Sequence, residues 1–426
     1  MEKSLPKGWV ETKLGDVTTK PQYGWTTKSN NVGKYRYLRT TDIGKGSIDW
    51  HKVPFCQELP DDIEKYLLKE NDILISRAGS IGLSYLVDGK IENSLFASYL
   101  IRFKPFIVPK FMSYYLNSKD YWRTISDNAV GIAVQNINAP KLQAIPFPLP
   151  PLAEQERIVA KLDRLFAQHE KIKKALDRIP ELLKAFRQQV LTQAVESKKG
   201  TRKLKDFLTD IKYGTSKKSE YGINGTPILR IPNIENGRIN DKDLKYSLLD
   251  EKEYDTLKLR KNDILIIRSN GSVSLVGQSA IITSEHENYS YAGYLIRIRL
   301  NANYEAEYLN YIFKSNFIRS QMINTSRSTS GVNNINSKEI QELNIPDIEL
   351  DEQQNIVKRV ESLFAKADAI EARYQALKAK IDNLPQAILH KAFKGELVPQ
   401  LPTDGDAKDL LAEIMALKEE TRGRKK

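Results

Sequence analysis

Pro60-Asp61 followed by Asp88-Gly89-Lys90 is the one pattern in this chain that loosely matches the carboxylate and lysine spacing of a metal-dependent nuclease. The match is short and has an ordinary structural reading. Pro60-Asp61-Asp62 suits a helix start before Ile63, and Asp88-Gly89 suits a turn. Other catalytic signatures are missing. There is no phosphate-cradling G-x-x-x-x-G-K-[ST] run and no strand-following G-x-G-x-x-G. There is also no Asn/Asp-Pro-Pro-aromatic run of the amino-methyltransferase kind, the only Pro-Pro lying in PLPPLAEQ at 148–155. His51, His169, His286 and His390 are scattered, and Cys56 is the only cysteine, which argues against a His- or Cys-based metal site and excludes an internal disulfide.

Residues suited to binding occur twice instead. Tyr23-Gly24 with Thr26, Thr27 and Lys28 matches Tyr213-Gly214 with Thr215, Ser216, Lys217 and Lys218. Glycine, small hydroxyls and lysine on one loop suit phosphate contact, the alternative being a solvated turn. Arg39-Thr40-Thr41-Asp42 matches Arg230-Ile231-Pro232-Asn233, and Arg77-Ala78-Gly79-Ser80 matches Arg268-Ser269-Asn270-Gly271. An arginine ending a strand can reach a groove edge and read guanine through two hydrogen bonds, or it can pair with Asp72 or Asp263. Gln135, Asn136 and Asn138 match Asn333, Asn334 and Asn336; these amides can read adenine or simply build turns.

These residues sit in a duplicated framework. NDIL at 71–74 returns at 262–265, YLIR at 99–102 at 294–297, and LFA at 165–167 at 363–365. The offset between copies grows from 190 at Tyr23 to 191 at Arg77, 195 at Tyr99 and 198 from Asn136 onward. The insertions therefore fall in the globular half of each repeat, where loops tolerate them, and none falls in the helical half. Short strands are expected at Tyr35–Arg39, Ile73–Ser76 and Tyr99–Phe103, and at Ile228–Ile231, Ile264–Arg268 and Tyr294–Ile298. Helical windows are expected at Phe111–Asn117 and Tyr304–Phe317.

Each copy ends in a heptad helix. Ile158, Leu162, Leu165, His169, Ile172, Leu176, Ile179, Leu183, Phe186 and Val190 step 4,3,4,3 without a slip. Ile356, Val360, Leu363, Ala367, Ile370, Tyr374, Leu377, Ile381, Leu384 and Ile388 do the same. This spacing predicts a coiled coil with both positions of each heptad in the seam. His169 breaks the apolar line, and Pro180 is expected to bend or break the first helix near Ile179. The expected fold class is mixed α+β. Two similar α/β domains would be separated by an antiparallel two-helix coiled coil with a pseudo-twofold relation.

A chain of 426 residues with 66 Lys+Arg against 54 Asp+Glu carries a formal charge of +12, spread along its length. A diffuse positive field suits a polyanion such as nucleic acid. No secretory h-region and no apolar run of about 18 residues is visible, so a cytoplasmic protein without membrane contact is expected.

The runs PLPPLAEQERIVAKLDRLFAQ at 148–168, DEQQNIVKRVESLFAKAD at 351–368 and LPQAILHKAFKGELVPQ at 384–400, with the opening LPKGWVETKLGDV, resemble the specificity subunit of Type I restriction–modification systems. The resemblance covers essentially the whole chain. It implies target-recognition domains at 1–151 and 201–350, each reading one half of a gapped double-stranded DNA site. It implies helical spacers at 152–200 and 351–400, followed by a polar tail at 401–426. It further implies two modification subunits that carry S-adenosylmethionine and methylate adenine N6, and restriction subunits that use ATP and Mg2+, with no catalysis or cofactor in this chain. The central spacer reads AVESKKG at 194–200 where the distal one reads AFKGELV at 392–398, so the two docking faces need not be alike. A stand-alone bivalent DNA-binding regulator is the alternative reading.

Overall fold

A computed structural model describes residues 5–44, 48–89, 91, 93–129, 136–196, 199–325, 327–329 and 332–423. Gln135 and Lys90 lie outside these described residues. The chain divides into two compact units, one formed by residues 1–175 with 377–426 and the other by residues 176–376. Each boundary falls within a predicted helical spacer, so each unit takes a share of both helices.

In the first unit a four-stranded sheet runs in the order Gln22–Tyr23, Leu100–Phe103, Ile73–Ser76, Ser84–Leu86. The second unit repeats that order with Leu208–Tyr213, Leu295–Leu300, Ile264–Ile267 and Ser279–Ile281. The central strands Ile73–Ser76 and Ile264–Ile267 are buried on both faces, which is why they read as unbroken apolar runs. The other expected strands form within a few residues, at Arg36–Leu38 and Thr226–Leu229. The helical windows form at Pro109–Tyr115, and at Ala306–Ile312 and Asn316–Thr325.

The rods comprise helices α1 (Leu152–Leu176), α2 (Ile179–Ala194) and α3 (Leu350–Phe393). The repeated Gln in AEQ and EQQ locks each rod to its sheet domain. Buried Gln155 accepts from Val108 N at 3.1 Å and donates to Pro150 O at 2.9 Å. Buried Gln353 accepts from Glu305 N at 2.7 Å and donates to Ile348 O at 2.7 Å.

Within each unit the rods pack antiparallel. In the first unit Ile158 and Leu162 share a core with Ile388, Leu389 and Ala392, and His169 meets Ile381. In the second, Arg187 bonds Asp368 and Glu371, Val190 packs with Val360, and Gln193 bonds Arg359. One position of each heptad is the more deeply covered: Leu162, His169, Leu176, Leu183 and Val190 are buried, as are Val360, Ala367, Tyr374 and Ile388, whereas in the alternate position only Ile158 is. The alternate position opens to solvent, with Ile172 and Leu377 each 44% exposed in the first unit and Phe186 and Ile370 40% and 49% exposed in the second. Regular spacing identified both rows but not how completely each is covered, since Leu165, Ile179, Ile356 and Leu363 of the alternate row are half-buried.

The expected break at Pro180 is present: α1 stops at Leu176 and α2 resumes at Ile179 with the proline in its first turn, where a missing N–H costs nothing. Pro385 sits inside α3 without ending it. The stretch read as a polar tail contains a further helix, α4 (Ala407–Gly423). Its Ala407, Leu410, Leu411 and Ile414 join the first unit's core, and Arg157 fastens the approach to it through two 2.6 Å bonds to Asp404.

In the second unit Lys314 donates to Asn236 O at 2.8 Å, and burial lowers its pKa to about 8. Between about 8 and the unfolded value near 10.4, the unfolded chain binds more protons than the fold. Stability of this unit is therefore expected to rise with pH through that window, until tyrosine ionisation in the unfolded chain opposes it near pH 10. Urea titrations at pH 7.5 and 9.5 check this; Lys314→Met should remove the rise.

Candidate nucleic-acid interface

Tyr23 ends one sheet strand and Arg77 directly follows another, as Tyr213 and Arg268 do in the second copy, and the two copies build the same arrangement. In the first unit the Arg77 guanidinium lies 5.0 Å from the Tyr23 ring centre, and its Nε donates to Asn136 Oδ1 at 3.2 Å. The Tyr23 hydroxyl accepts from Ala139 N at 3.0 Å. In the second unit Arg268 lies 4.6 Å from the Tyr213 ring, its Nε reaches Asn334 Oδ1 at 3.4 Å, and the Tyr213 hydroxyl accepts from Ser337 N at 2.9 Å. Backbone pairing fixes the same geometry, with Ile137 N donating to Arg77 O at 2.9 Å and Ile335 N to Arg268 O at 2.8 Å.

The alternative partners of these arginines are taken. Asp72 is buried against Arg102 at 3.1 Å, and Asp263 holds Arg299 through two 2.7 Å bonds. Among the described residues the η nitrogens of Arg77 and Arg268 have no hydrogen-bond partner. Each arginine is thus oriented on one ring face and one nitrogen and presents its remaining donors outward.

Beside this arrangement the first unit has an open cleft of about 840 Å³. Thr27, Lys28, Arg39, Thr41, Ser80 and Tyr99 line it, so most loop residues singled out in the first copy converge there. Lys28 has no ion pair among the described residues, whereas Arg39 grips Asp42 with two bonds of 3.0 and 2.7 Å, and that hydrogen bonding raises its pKa.

The second unit differs in charge. Lys217 bonds Glu253 at 2.7 Å and Asp250 at 3.2 Å, Lys218 bonds Glu220 at 2.8 Å, and Arg230 bonds Asp243 at 3.0 Å. The hydrogen bond to Glu253 lifts the Lys217 pKa and holds the Glu253 carboxyl below its usual range. Both lysines of this loop therefore carry ion pairs to acidic neighbours, which Lys28 does not among the described residues.

Asn233 is corrected. It is fully buried, its Oδ1 accepts from Arg230 N at 2.8 Å, and its Nδ2 donates to Asn240 O at 2.9 Å and Asp243 O at 3.0 Å. It builds a turn, as Asp42 does for Arg39 N, and has no donor left for a base. Gly24 and Gly214 are small for packing reasons, not for a ligand. A Cβ at Gly24 would lie 2.3 Å from Phe96 O and Ala97 O, and one at Gly214 would lie 2.2 Å from Tyr291 O. Asn270 accepts from Ser272 N at 2.8 Å within its loop, and Asn333, on the strand paired with Ser269–Asn270, donates to Gly271 O at 3.3 Å.

Tyr99 and Tyr294, 60% and 64% exposed, were not singled out by residue type. Their carbonyls accept from Arg77 N and Arg268 N, which puts an exposed aromatic beside each arginine. The available signal was their equivalence in the repeated YLIR. No group of three or more metal-binding side chains occurs among the described residues.

Comparison with known proteins gives one consistent picture. The model of the Type I restriction modification DNA specificity domain matches residues 6–181 and again 196–379. The chain is 33% identical to the Type I restriction enzyme EcoKI specificity subunit of Escherichia coli (strain K12), covering 99% of this chain and 98% of that protein. It is 32% identical to the StySPI specificity subunit of Salmonella potsdam, over 93% and 90% of the two chains. Among solved structures, the HsdS subunit of Thermoanaerobacter tengcongensis superposes with a TM-score of 0.64 at 20% identity, covering 93% of this chain and 99% of that one. A chain from a type I R-M system, solved in work on its complex assembly and conformational transition, superposes with a TM-score of 0.68 at 19% identity, over 92% and 99%.

Proposed function

Because the chain belongs to the Type I restriction–modification DNA specificity family, we propose that each of its two units reads one half of a gapped double-stranded DNA site for partner subunits that carry out the chemistry. The supporting observation is the duplicated Tyr–Arg–Asn arrangement, with outward-facing guanidinium donors, set beside loops that differ between the copies. Lysine and arginine would supply salt-dependent affinity, and the loops would discriminate bases.

This reading assigns no catalysis to the chain. Adenine-N6 methylation and its S-adenosylmethionine belong to modification subunits, two per complex, and ATP and Mg2+ to restriction subunits. The half-covered apolar row along the rods gives those partners an apolar surface to bury. Base methylation requires the target adenine to leave the stack, and the modification subunit would receive it.

The experiment is methylome sequencing of cells expressing this chain with its modification subunits, followed by exchange of the first unit's cleft loops for those of a relative. A two-part methylated motif is expected, and the exchange should change one part only. Change in both parts would defeat the assignment of one unit per half-site. A protein that binds DNA unaided and co-purifies with no methyltransferase would favour the stand-alone regulator.

A further inference from the structure

The loops of the two units differ in charge state, yet Tyr23–Arg77–Asn136 and Tyr213–Arg268–Asn334 are the same device in the same place. A device common to both units serves what two different half-sites share, and the feature shared by all duplex DNA is its phosphate backbone. The geometry fits that role. Stacking on tyrosine and the Nε bond to asparagine fix the plane of the guanidinium before DNA arrives. The two η nitrogens are left as a planar fork that matches the spacing of phosphate oxygens.

Resting on the DNA-reading function above, we propose that Arg77 and Arg268 are preset phosphate clamps, one per half-site, which set the register of each unit on the duplex and do not read bases.

The test uses the full chain assembled with its modification subunits, on a duplex carrying the wild-type methylated motif and on an unrelated duplex, between 50 and 200 mM salt. Arg77→Gln and Arg268→Gln should each reduce the slope of log affinity against log salt by about 0.9, the value for one phosphate contact, and the double variant by about twice that. Affinity should fall roughly ten- to a hundred-fold, as for loss of hydrogen bonds to a charged group. It should fall equally on both duplexes, with the methylated motif unchanged. Arg77→Lys keeps the charge without the fork and should retain the slope while losing affinity, which separates a lost contact from a damaged fold.

A motif that becomes degenerate at one position of one half would overturn the clamp in favour of base reading. An unchanged slope and affinity would overturn it outright, as would a slope that falls as far for lysine as for glutamine. Absence of any two-part motif for the wild type would instead remove the DNA-reading function on which the clamp rests.

Discussion

Arg102→Ala is expected to destabilise the first unit by about 3–5 kcal/mol, the usual cost of leaving one member of a buried ion pair alone. Arg102 and Asp72 are 4% and 2% exposed and 3.1 Å apart. The guanidinium also donates to Leu67 O at 2.7 Å, Lys65 O at 2.7 Å and Gln22 Oε1 at 2.5 Å, and it lies 5.0 Å from the Phe96 ring. Alanine would leave the buried Asp72 carboxylate without its cation and Leu67 O without its side-chain donor. It would also remove one of the two side-chain bonds of Gln22, whose neighbour Tyr23 supports Arg77. Two unfolding transitions in urea are expected, with the first unit's moved to lower denaturant and the second unit's unchanged. The second unit wires the same region differently: Arg297 bonds Asp210, and Arg299 takes the aspartate, Asp263, that corresponds to Asp72. Arg297→Ala should therefore leave Asp263 paired and cost less. Equal losses for the two variants would count against this account.

His169→Leu is expected to cost about 1–3 kcal/mol in wild-type background and close to nothing when Pro385 is alanine. Pro385 has no N–H to give the carbonyl four residues earlier, which is Ile381 O. His169 Nε2 meets that oxygen at 2.9 Å, so a polar side chain in the apolar row closes the bond that the proline leaves open. Leucine would fill the row but leave a carbonyl unsatisfied, and that desolvation sets the cost. A double-mutant cycle over His169→Leu and Pro385→Ala measures the coupling, expected at 1 kcal/mol or more; additive losses would refute it.

The repeat, the strands and the rods were legible because each depends on local pattern: apolar runs bounded by turns, or a strict heptad. The first unit's cleft was legible because its lining residues matched a second copy by type. What could not be read was the fate of each charge. Lys217 and Arg230 looked like their first-copy equivalents until the fold brought Glu253, Asp250 and Asp243 to them from elsewhere in the chain. Asn233 stood among the candidate DNA contacts because residue type does not reveal burial. The heptads gave the helix faces correctly but not how completely each row is covered. The helix at Ala407–Gly423 escaped notice because its polar composition hides the short apolar run that docks.

The first unit is assembled from both ends of the polypeptide: its core holds Leu14 and Phe111 together with Ile388, Phe393 and Ile414, and Ala407 N donates to Gly8 O at 2.9 Å. During translation the second unit, contained within residues 176–376, has all of its chain available first. The earlier-synthesised residues must therefore wait, with part of their apolar surface uncovered, until residues 377 onward emerge, and a product terminated just after residue 376 would hold only its second unit complete.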